Sequence, residues 1–124
     1  MKAIHTKHAP AAIGPYSQAI AAGDFIFLSG QLGIDPETGA LAENGVTAQA
    51  EQACKNIAAI LKKAGLSMDA VVKTTCFLAT MDDFNAFNDV YAKHFTSKPA
   101  RSCFAVAALP KDGLCEIEVM ALRK

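Results

Sequence analysis

Two segments near the C-terminus alternate side chains with the two-residue period of β-strands, and both carry ionisable groups. The first runs from Arg101 to Ala107 and the second from Cys115 to Leu122, with Glu116 and Glu118 inside it. Lys111-Asp112-Gly113 between them predicts a turn. A strand buries one face, and an ionised group there is costly unless a partner or a ligand compensates it. The chain must therefore fold around a sheet that gives these charges defined surroundings.

Strand alternation predicts how these charges are distributed over the faces of the sheet. Arg101 shares a face with Cys103, and Glu116 shares one with Glu118. Two carboxylates about 7 Å apart on a partly apolar face repel each other and are poorly hydrated, so we expect one of them to have a raised pKa. Such a carboxylate suits a general base that activates water. Arg101, one of two arginines, offers a guanidinium that binds a carboxylate through two parallel hydrogen bonds.

Purely structural interpretations of the same residues remain open. In the first interpretation, Arg101 pairs with Glu116 or Glu118 across a hairpin of the two strands. In the second, the two glutamates simply face solvent on an edge strand. Cys103 is a further candidate, as a nucleophile beside Arg101, although no histidine is placed to activate it.

The remainder of the chain predicts short strands separated by two helices. Apolar runs at 17–22 and 25–28, separated by Gly23-Asp24, predict a β-hairpin. Apolar residues at helical spacing between 50 and 64 predict a helix that Thr47 caps and Gly65 ends. A strand at 71–79 and a second helix follow. Asp82 or Asp83 would cap that helix, and its buried stripe would contain Phe84, Phe87, Tyr91 and Phe95.

This order of elements predicts a single α+β domain over residues 1–124, with a short first strand at 3–5. Each helix is expected to connect parallel strands as a crossover, while antiparallel hairpins form both ends. Two helices can cover only one face of the mixed sheet. One face of strand 71–79 carries Val72, Thr74, Cys76 and Leu78, and the other face is also largely apolar. The uncovered face therefore predicts an oligomer.

Composition excludes several classes of function. Twelve basic and twelve acidic residues give no net charge, which disfavours binding to nucleic acid or to an anionic membrane. Neither a signal peptide nor a membrane span is expected. Four widely spaced cysteines predict free thiols in a reducing cytoplasm, and three histidines without ligand spacing predict no metal site.

Two glycine-containing segments in the N-terminal part form a second cluster of interest, at 14–19 and 28–33. Gly30 and Gly33 flank Gln31 where a strand is expected to end, and glycine there lets the backbone approach a ligand or a neighbouring chain. The motifs of nucleotide-binding loops, serine hydrolases and zincins are absent.

Together these segments resemble the RidA (YjgF) family of enamine and imine deaminases. The resemblance runs nearly end to end through seven motifs: residues 9–19, 29–31, 35–39, 72–75, 84–88, 100–102 and 116–118. Several separated motifs in the expected order make this match specific.

The resemblance implies chorismate-mutase-like subunits with two helices on one face, forming a homotrimer with a barrel-like sheet core and a ligand cleft at each interface. It also implies a hydrolase acting on C–N bonds. Its substrates would be the 2-imino acids and enamines released by pyridoxal-phosphate enzymes such as threonine or serine dehydratase. The products would be 2-keto acids and ammonia, and no metal or cofactor is implied.

Site residues are carried over motif by motif. Arg101 would bind the substrate carboxylate, and Glu116 would position and activate water. The pocket would be completed by residues from separate motifs: Tyr16, Ser29, Gly30, Asn88 and Cys103.

Two other functions compete with this interpretation. The first is a non-catalytic trimer that binds small carboxylates and regulates a partner; keeping both Arg101 and Glu116 favours the enzyme, because binding alone does not require the glutamate. The second is a ribonuclease or translation inhibitor. Neutral charge, the lack of tryptophan and the absence of a basic–aromatic run disfavour it.

Overall fold

A computed structural model describes residues 1–123, in which two long helices pack on a six-stranded mixed sheet. The helices are α1 (Val46–Lys63) and α2 (Phe84–His94). The strands are β1 (Lys2–Ile4), β2 (Ala19–Ala22), β3 (Phe25–Leu32), β4 (Val71–Leu78), β5 (Ala100–Ala105) and β6 (Cys115–Leu122). The predicted α+β class is confirmed. None of the helices within residues 1–123 is long and apolar enough to cross a membrane.

The strand order β1-β2-β3-β6-β4-β5 confirms part of the predicted topology and corrects the rest. The β2–β3 hairpin forms as predicted. The predicted C-terminal hairpin is wrong, because β6 inserts between β3 and β4 while β5 lies at the edge of the sheet. This insertion places the apolar side chains of β6 in the centre of the core: Cys115, Ile117, Val119 and Ala121. The glutamates therefore lie on an interior strand, and the edge-strand interpretation is also wrong.

The two helical connections differ from each other. Helix α2 joins β4 to its parallel neighbour β5, as predicted for a crossover. Helix α1 joins β3 to β4. These two strands run in the same direction because both are antiparallel to β6, and they do not pair because β6 lies between them. The direct parallel pairing expected across α1 is therefore wrong.

Helix ends follow backbone geometry more than side-chain capping. Helix α1 begins at Val46, and its N-cap position is Gly45, so the predicted Thr47 cap is wrong. Gly65 adopts a positive φ of 80° just beyond its C-cap, as a helix stop requires. Asp83 occupies the N-cap position of α2 without a side-chain cap bond. Instead, Thr80 Oγ1 accepts a hydrogen bond of 3.1 Å from the Asp82 amide in the preceding turn.

Both helices cover the same face of the sheet, and the opposite face stays open. Apolar side chains on this open face remain exposed: Phe25, Phe27, Phe104, Met120 and Leu122. A β-bulge between Val71 and Lys73 shifts the start of β4, so Val71 is buried and Val72 is exposed, the reverse of the predicted alternation. The predicted uncovered apolar face is present.

Candidate active site

A cleft of about 960 Å³ lies where β3 and β6 meet the loops that precede β2 and β6. It brings together four of the residues expected at the site: Tyr16, Ser29, Gly30 and Glu116. Glu118 and Lys111 also line it. Among the residues that the structure describes, two carboxylates and one lysine thus share a cleft that is otherwise mostly apolar.

A β-bulge in β3 shapes the floor of this cleft. Leu28 lies opposite Val119 and Gln31 opposite Ile117, so Ser29 and Gly30 together face a single residue of β6, Glu118. Bulges of this kind bend a strand and redirect side chains, and they are frequent beside active sites.

Gly30 leaves room for the Glu116 carboxyl group. A Cβ atom at position 30 would lie 2.8 Å from Glu116 Cδ, closer than real contacts allow. Any other residue at this position would displace the carboxylate. The sequence suggested that glycine permits a close approach here, and the group that approaches is a side chain of the same chain.

Burial raises the pKa of the Glu116 carboxyl, and the nearby charge of Glu118 raises it further. Glu116 is half-buried between Leu32 of β3 and Phe77 of β4. The expectation that one of the two glutamates has a raised pKa is confirmed for Glu116. The Glu116 carboxylate therefore accepts a proton more readily than an ordinary glutamate does.

Gln18 fixes the wall of the cleft, a role that the sequence did not suggest. This buried amide accepts a hydrogen bond of 2.7 Å from the Thr6 backbone N–H and donates one of 2.8 Å to the Pro10 carbonyl. Ser29 Oγ donates to the Ser17 carbonyl at 2.6 Å. The Ser29 hydroxyl proton is therefore used within the protein, and this residue holds the segment that carries Tyr16.

Arg101 lies on the opposite face of the sheet from Glu116. Its neighbour on β4 is Thr74, which is fully buried toward the helices, whereas the neighbour of Glu116 on that strand is Phe77. Residues three apart on a strand point to opposite faces. The interpretation in which Arg101 pairs with a glutamate of the same chain is therefore wrong.

The guanidinium of Arg101 is held by uncharged groups of α2. Its Nη1 donates a hydrogen bond of 2.7 Å to Asn88 Oδ1, and its Cζ lies 4.6 Å from the centroid of the Tyr91 ring. Among residues 1–123 the one contact of ion-pair length between a basic and an acidic side chain joins His94 and Glu51, on the two helices. Within that range no carboxylate therefore neutralises Arg101, which lies at the start of an edge strand.

Cys103 lies beside Arg101 on β5, next to the buried Cys76 of β4. Burial raises the pKa of the Cys103 thiol, although the Arg101 charge lowers it in part. A thiol with a raised pKa forms little thiolate, which argues against a nucleophile. All four cysteines are free. Within the described part of the chain, no three His, Cys, Asp or Glu side chains gather as a metal ion would require.

The expected site residues thus form two groups that one chain does not bring together. Tyr16, Ser29, Gly30 and Glu116 line the cleft, which we call the carboxylate half-site. The second group, which we call the arginine half-site, consists of Asn88, Arg101 and Cys103 near the edge strand β5. The sheet lies between Arg101 and Glu116.

Comparison with known proteins agrees with both the fold and the motifs. Residues 6–123 match the family model described as Endoribonuclease L-PSP. The chain belongs to this family, also called the YjgF/RidA family. The resemblance inferred from the motifs is therefore confirmed.

Similar proteins match over nearly their whole length. A goat protein named 2-iminobutanoate/2-iminopropanoate deaminase is 53% identical, with 97% of this chain and 88% of that protein covered. A Salmonella typhimurium protein with the same name is 48% identical, with 99% and 98% covered. The crystal structure of E. coli TdcF with bound serine superposes with a TM-score of 0.95 at 41% identity and covers 100% of both chains.

Proposed function

We propose that this protein is an enamine/imine deaminase that hydrolyses 2-imino acids to 2-keto acids and ammonia. One combination of features carries the proposal: Arg101 has no carboxylate partner among residues 1–123, and the same small protein holds a half-buried glutamate with a raised pKa. The names of the goat and Salmonella relatives support this reaction. The substrates would be the imines that pyridoxal-phosphate enzymes such as dehydratases release.

Arg101 would bind the substrate carboxylate. Its guanidinium has five N–H donors, and one of them donates a hydrogen bond to Asn88. The other N–H groups can bind a ligand. Because no carboxylate of the described chain neutralises it, a bound 2-imino acid would supply the missing negative charge.

Glu116 would act as the general base. A water molecule attacks the carbon of the protonated imine while the Glu116 carboxylate takes one of its protons, which gives a neutral carbinolamine. Glu116 then gives that proton to the nitrogen, the C–N bond breaks to release ammonia, and the hydroxyl proton passes to the Glu116 carboxylate as the keto group forms. Glu116 finally loses this proton to solvent, so one protonated imine and one water are converted to one keto acid and one ammonium ion. The imine carbon is already electrophilic, so positioning and one base suffice.

Because Arg101 and Glu116 lie on opposite faces of one sheet, we propose that the active site forms between copies of the chain. The arginine half-site of one copy would meet the carboxylate half-site of the next. Exposed aromatic and aliphatic side chains on the open face would form the core of a homotrimer with a barrel-like arrangement of sheets. Four free thiols suit a reducing compartment, so we place the enzyme in the cytoplasm.

Mixing two inactive variants tests the reaction and the shared site together. Arg101→Ala and Glu116→Gln should each remove nearly all imine hydrolysis, measured by coupling the protein to a dehydratase and following imine decay. Refolding the two variants together at equal concentration should restore about one quarter of the wild-type activity, because random assembly gives that fraction of sites both intact residues.

The control is a mixture of Arg101→Ala with the double variant Arg101→Ala/Glu116→Gln, which has no intact site in any arrangement. Unrestored activity in the first mixture, with both single variants inactive and trimeric, would mean that both residues serve a site within one copy. Full activity of either single variant would remove the proposed mechanism.

Binding of small carboxylates without catalysis is the second candidate, and the serine in the TdcF structure favours it. Calorimetry separates the two candidates: a pure binding protein would take up a 2-keto acid yet leave imine decay unchanged. We do not propose RNA cleavage, because Glu116 and Glu118 in the cleft would repel the phosphate backbone.

A further inference from the structure

Helix α2 surrounds the Arg101 guanidinium with neutral groups. The Tyr91 ring centroid lies 4.6 Å from Arg101 Cζ and the Phe84 ring centroid lies 5.7 Å from it, while Asn88 accepts its hydrogen bond. An aromatic face attracts a cation through its quadrupole without neutralising the charge. The helix therefore holds the cation in place and leaves its charge available to a ligand.

The Tyr91 ring is itself fixed in position. Its hydroxyl lies 2.7 Å from Thr74 Oγ1, and Thr74 is fully buried and directly opposite Arg101 in the β4–β5 register. The ring also stacks on Phe95 with 4.4 Å between centroids. Burial raises the pKa of the Tyr91 hydroxyl, so the ring stays neutral. Tyr91 thus links the core of the sheet to the guanidinium.

This arrangement restricts how a ligand can reach Arg101. A guanidinium with one face over an aromatic ring presents its remaining N–H groups along its planar edge. A carboxylate binds that edge through two parallel hydrogen bonds. Holding a long side chain in its binding conformation before the ligand arrives lowers the entropy lost on binding.

We propose that Tyr91 is a positioning residue that orients the Arg101 guanidinium for the substrate carboxylate, with Thr74 fixing the ring. Tyr91 acts through Arg101 and does not itself contact the substrate. This inference rests on the proposed role of Arg101 as the carboxylate anchor.

A spectroscopic test reports on the guanidinium without any ligand. In an NMR spectrum of wild type, the Tyr91 ring current should shift the Arg101 Nε–H proton upfield. The chain has two arginines, so the arginine Nε–H signal that remains in an Arg123→Lys variant belongs to Arg101. Tyr91→Leu should abolish this shift. Val90→Ala truncates the neighbouring buried residue of the same helix and should leave it unchanged. An unshifted signal in wild type, or the same shift in Tyr91→Leu, would overturn the proposal.

A binding test then follows the consequence for the ligand. Tyr91→Leu should weaken the affinity for 2-oxobutanoate about tenfold and Tyr91→Phe, which keeps the ring but loses the Thr74 bond, about threefold. Val90→Ala should lower the melting temperature but leave the affinity within about twofold of wild type. In an Arg101→Ala background, Tyr91→Leu should cause no further loss.

The outcomes separate this inference from the proposed function. Wild-type affinity of Arg101→Ala would remove the anchor itself, and the role of Tyr91 with it. Lost affinity in Arg101→Ala with normal affinity in Tyr91→Leu would overturn only the positioning role. Equal losses of affinity in Val90→Ala and Tyr91→Leu would reduce Tyr91 to a packing residue.

Discussion

At the scale of single residues, the environment of each charge decides its chemistry. Glu116 and Glu118 are two residues apart on one strand, yet burial falls mainly on Glu116, whose carboxyl lies over Gly30. Arg101 is held by an amide and aromatic rings, so its charge is positioned but not cancelled. We propose that a carboxylate-bearing imine is hydrolysed by these two groups: a half-buried carboxylate and a guanidinium that no carboxylate of residues 1–123 neutralises.

The two glutamates should differ sharply in catalysis. Glu116→Gln keeps the shape of the side chain but removes the base, so imine hydrolysis should slow about a hundredfold or more while 2-keto acid binding largely persists. Glu118→Gln is the matched control and should have a much smaller effect on the rate. Steady-state imine decay and calorimetry measure the two properties, and a reversal of the two effects would reassign the base to Glu118.

Stability should depend on pH through the same residue. Because the pKa of Glu116 in the folded chain is above its ordinary 4.5, the folded state holds this proton more tightly than the unfolded state does. The stability that this group contributes is present below pH 4.5 and is lost as the pH rises through the raised pKa of the folded state.

At pH 7 the Glu116→Gln variant should therefore melt at a higher temperature than wild type. This difference in melting temperature should vanish below pH 4.5, where the wild-type glutamate is protonated. Melting curves across this range check the sign. A gain that grows as the pH falls would contradict the burial of this carboxylate.

At the scale of elements, the β3 bulge and the loop that follows it rely on two glycines for different reasons. A Cβ at Gly30 would meet the end of the Glu116 side chain, whereas a Cβ at Gly33 would meet the backbone of α1 at Gln49. A side-chain terminus can move aside, but a helix backbone cannot move without disturbing the core.

Gly30→Ala should therefore impair activity more than stability, because it displaces the Glu116 carboxylate that we propose as the general base. Gly33→Ala should do the opposite, lowering the melting temperature strongly because α1 must shift. Circular dichroism melts and imine hydrolysis on both variants provide the comparison. Equal losses of stability in both would mean that the Glu116 side chain has no freedom to adjust.

At the scale of the whole molecule, one chain carries two half-sites on opposite sides of its sheet. The open face exposes five large apolar side chains: Phe25, Phe27, Phe104, Met120 and Leu122. Single apolar residues are normal on a protein surface, whereas a group of them on one face is typical of an interface. We propose that burial of that face between copies places the edge strand β5 of one copy, with its Arg101, beside the cleft of the next. Assembly and catalysis would then have a single structural cause.

The protein should be a trimer in solution, and reducing agents should leave it intact because its thiols are free. Multi-angle light scattering with and without a reductant measures this. Phe27→Lys on the open face should weaken assembly and abolish activity together, since a buried charge without a partner is costly. An active monomer would remove the shared site.

Local pattern in the sequence determined much of what the structure contains. Alternation in β6 predicted that Glu116 and Glu118 share a face opposite Ile117 and Val119, and the Gly23-Asp24 turn predicted the β2–β3 hairpin; both are confirmed. These features depend on the period of a strand or the preference of a turn, which a few neighbouring residues set. The separated motifs likewise identified the family.

Only the tertiary structure decided what depends on contacts between distant parts of the chain. The insertion of β6 between β3 and β4, the opposite faces of Arg101 and Glu116, and the placement of Tyr91 under the guanidinium follow from packing. Strand order is selected by the burial of whole apolar faces, and no local pattern records which neighbours achieve it. The bulge at Val71 shows the same limit, because one extra residue exchanged the faces that alternation had predicted for Val71 and Val72.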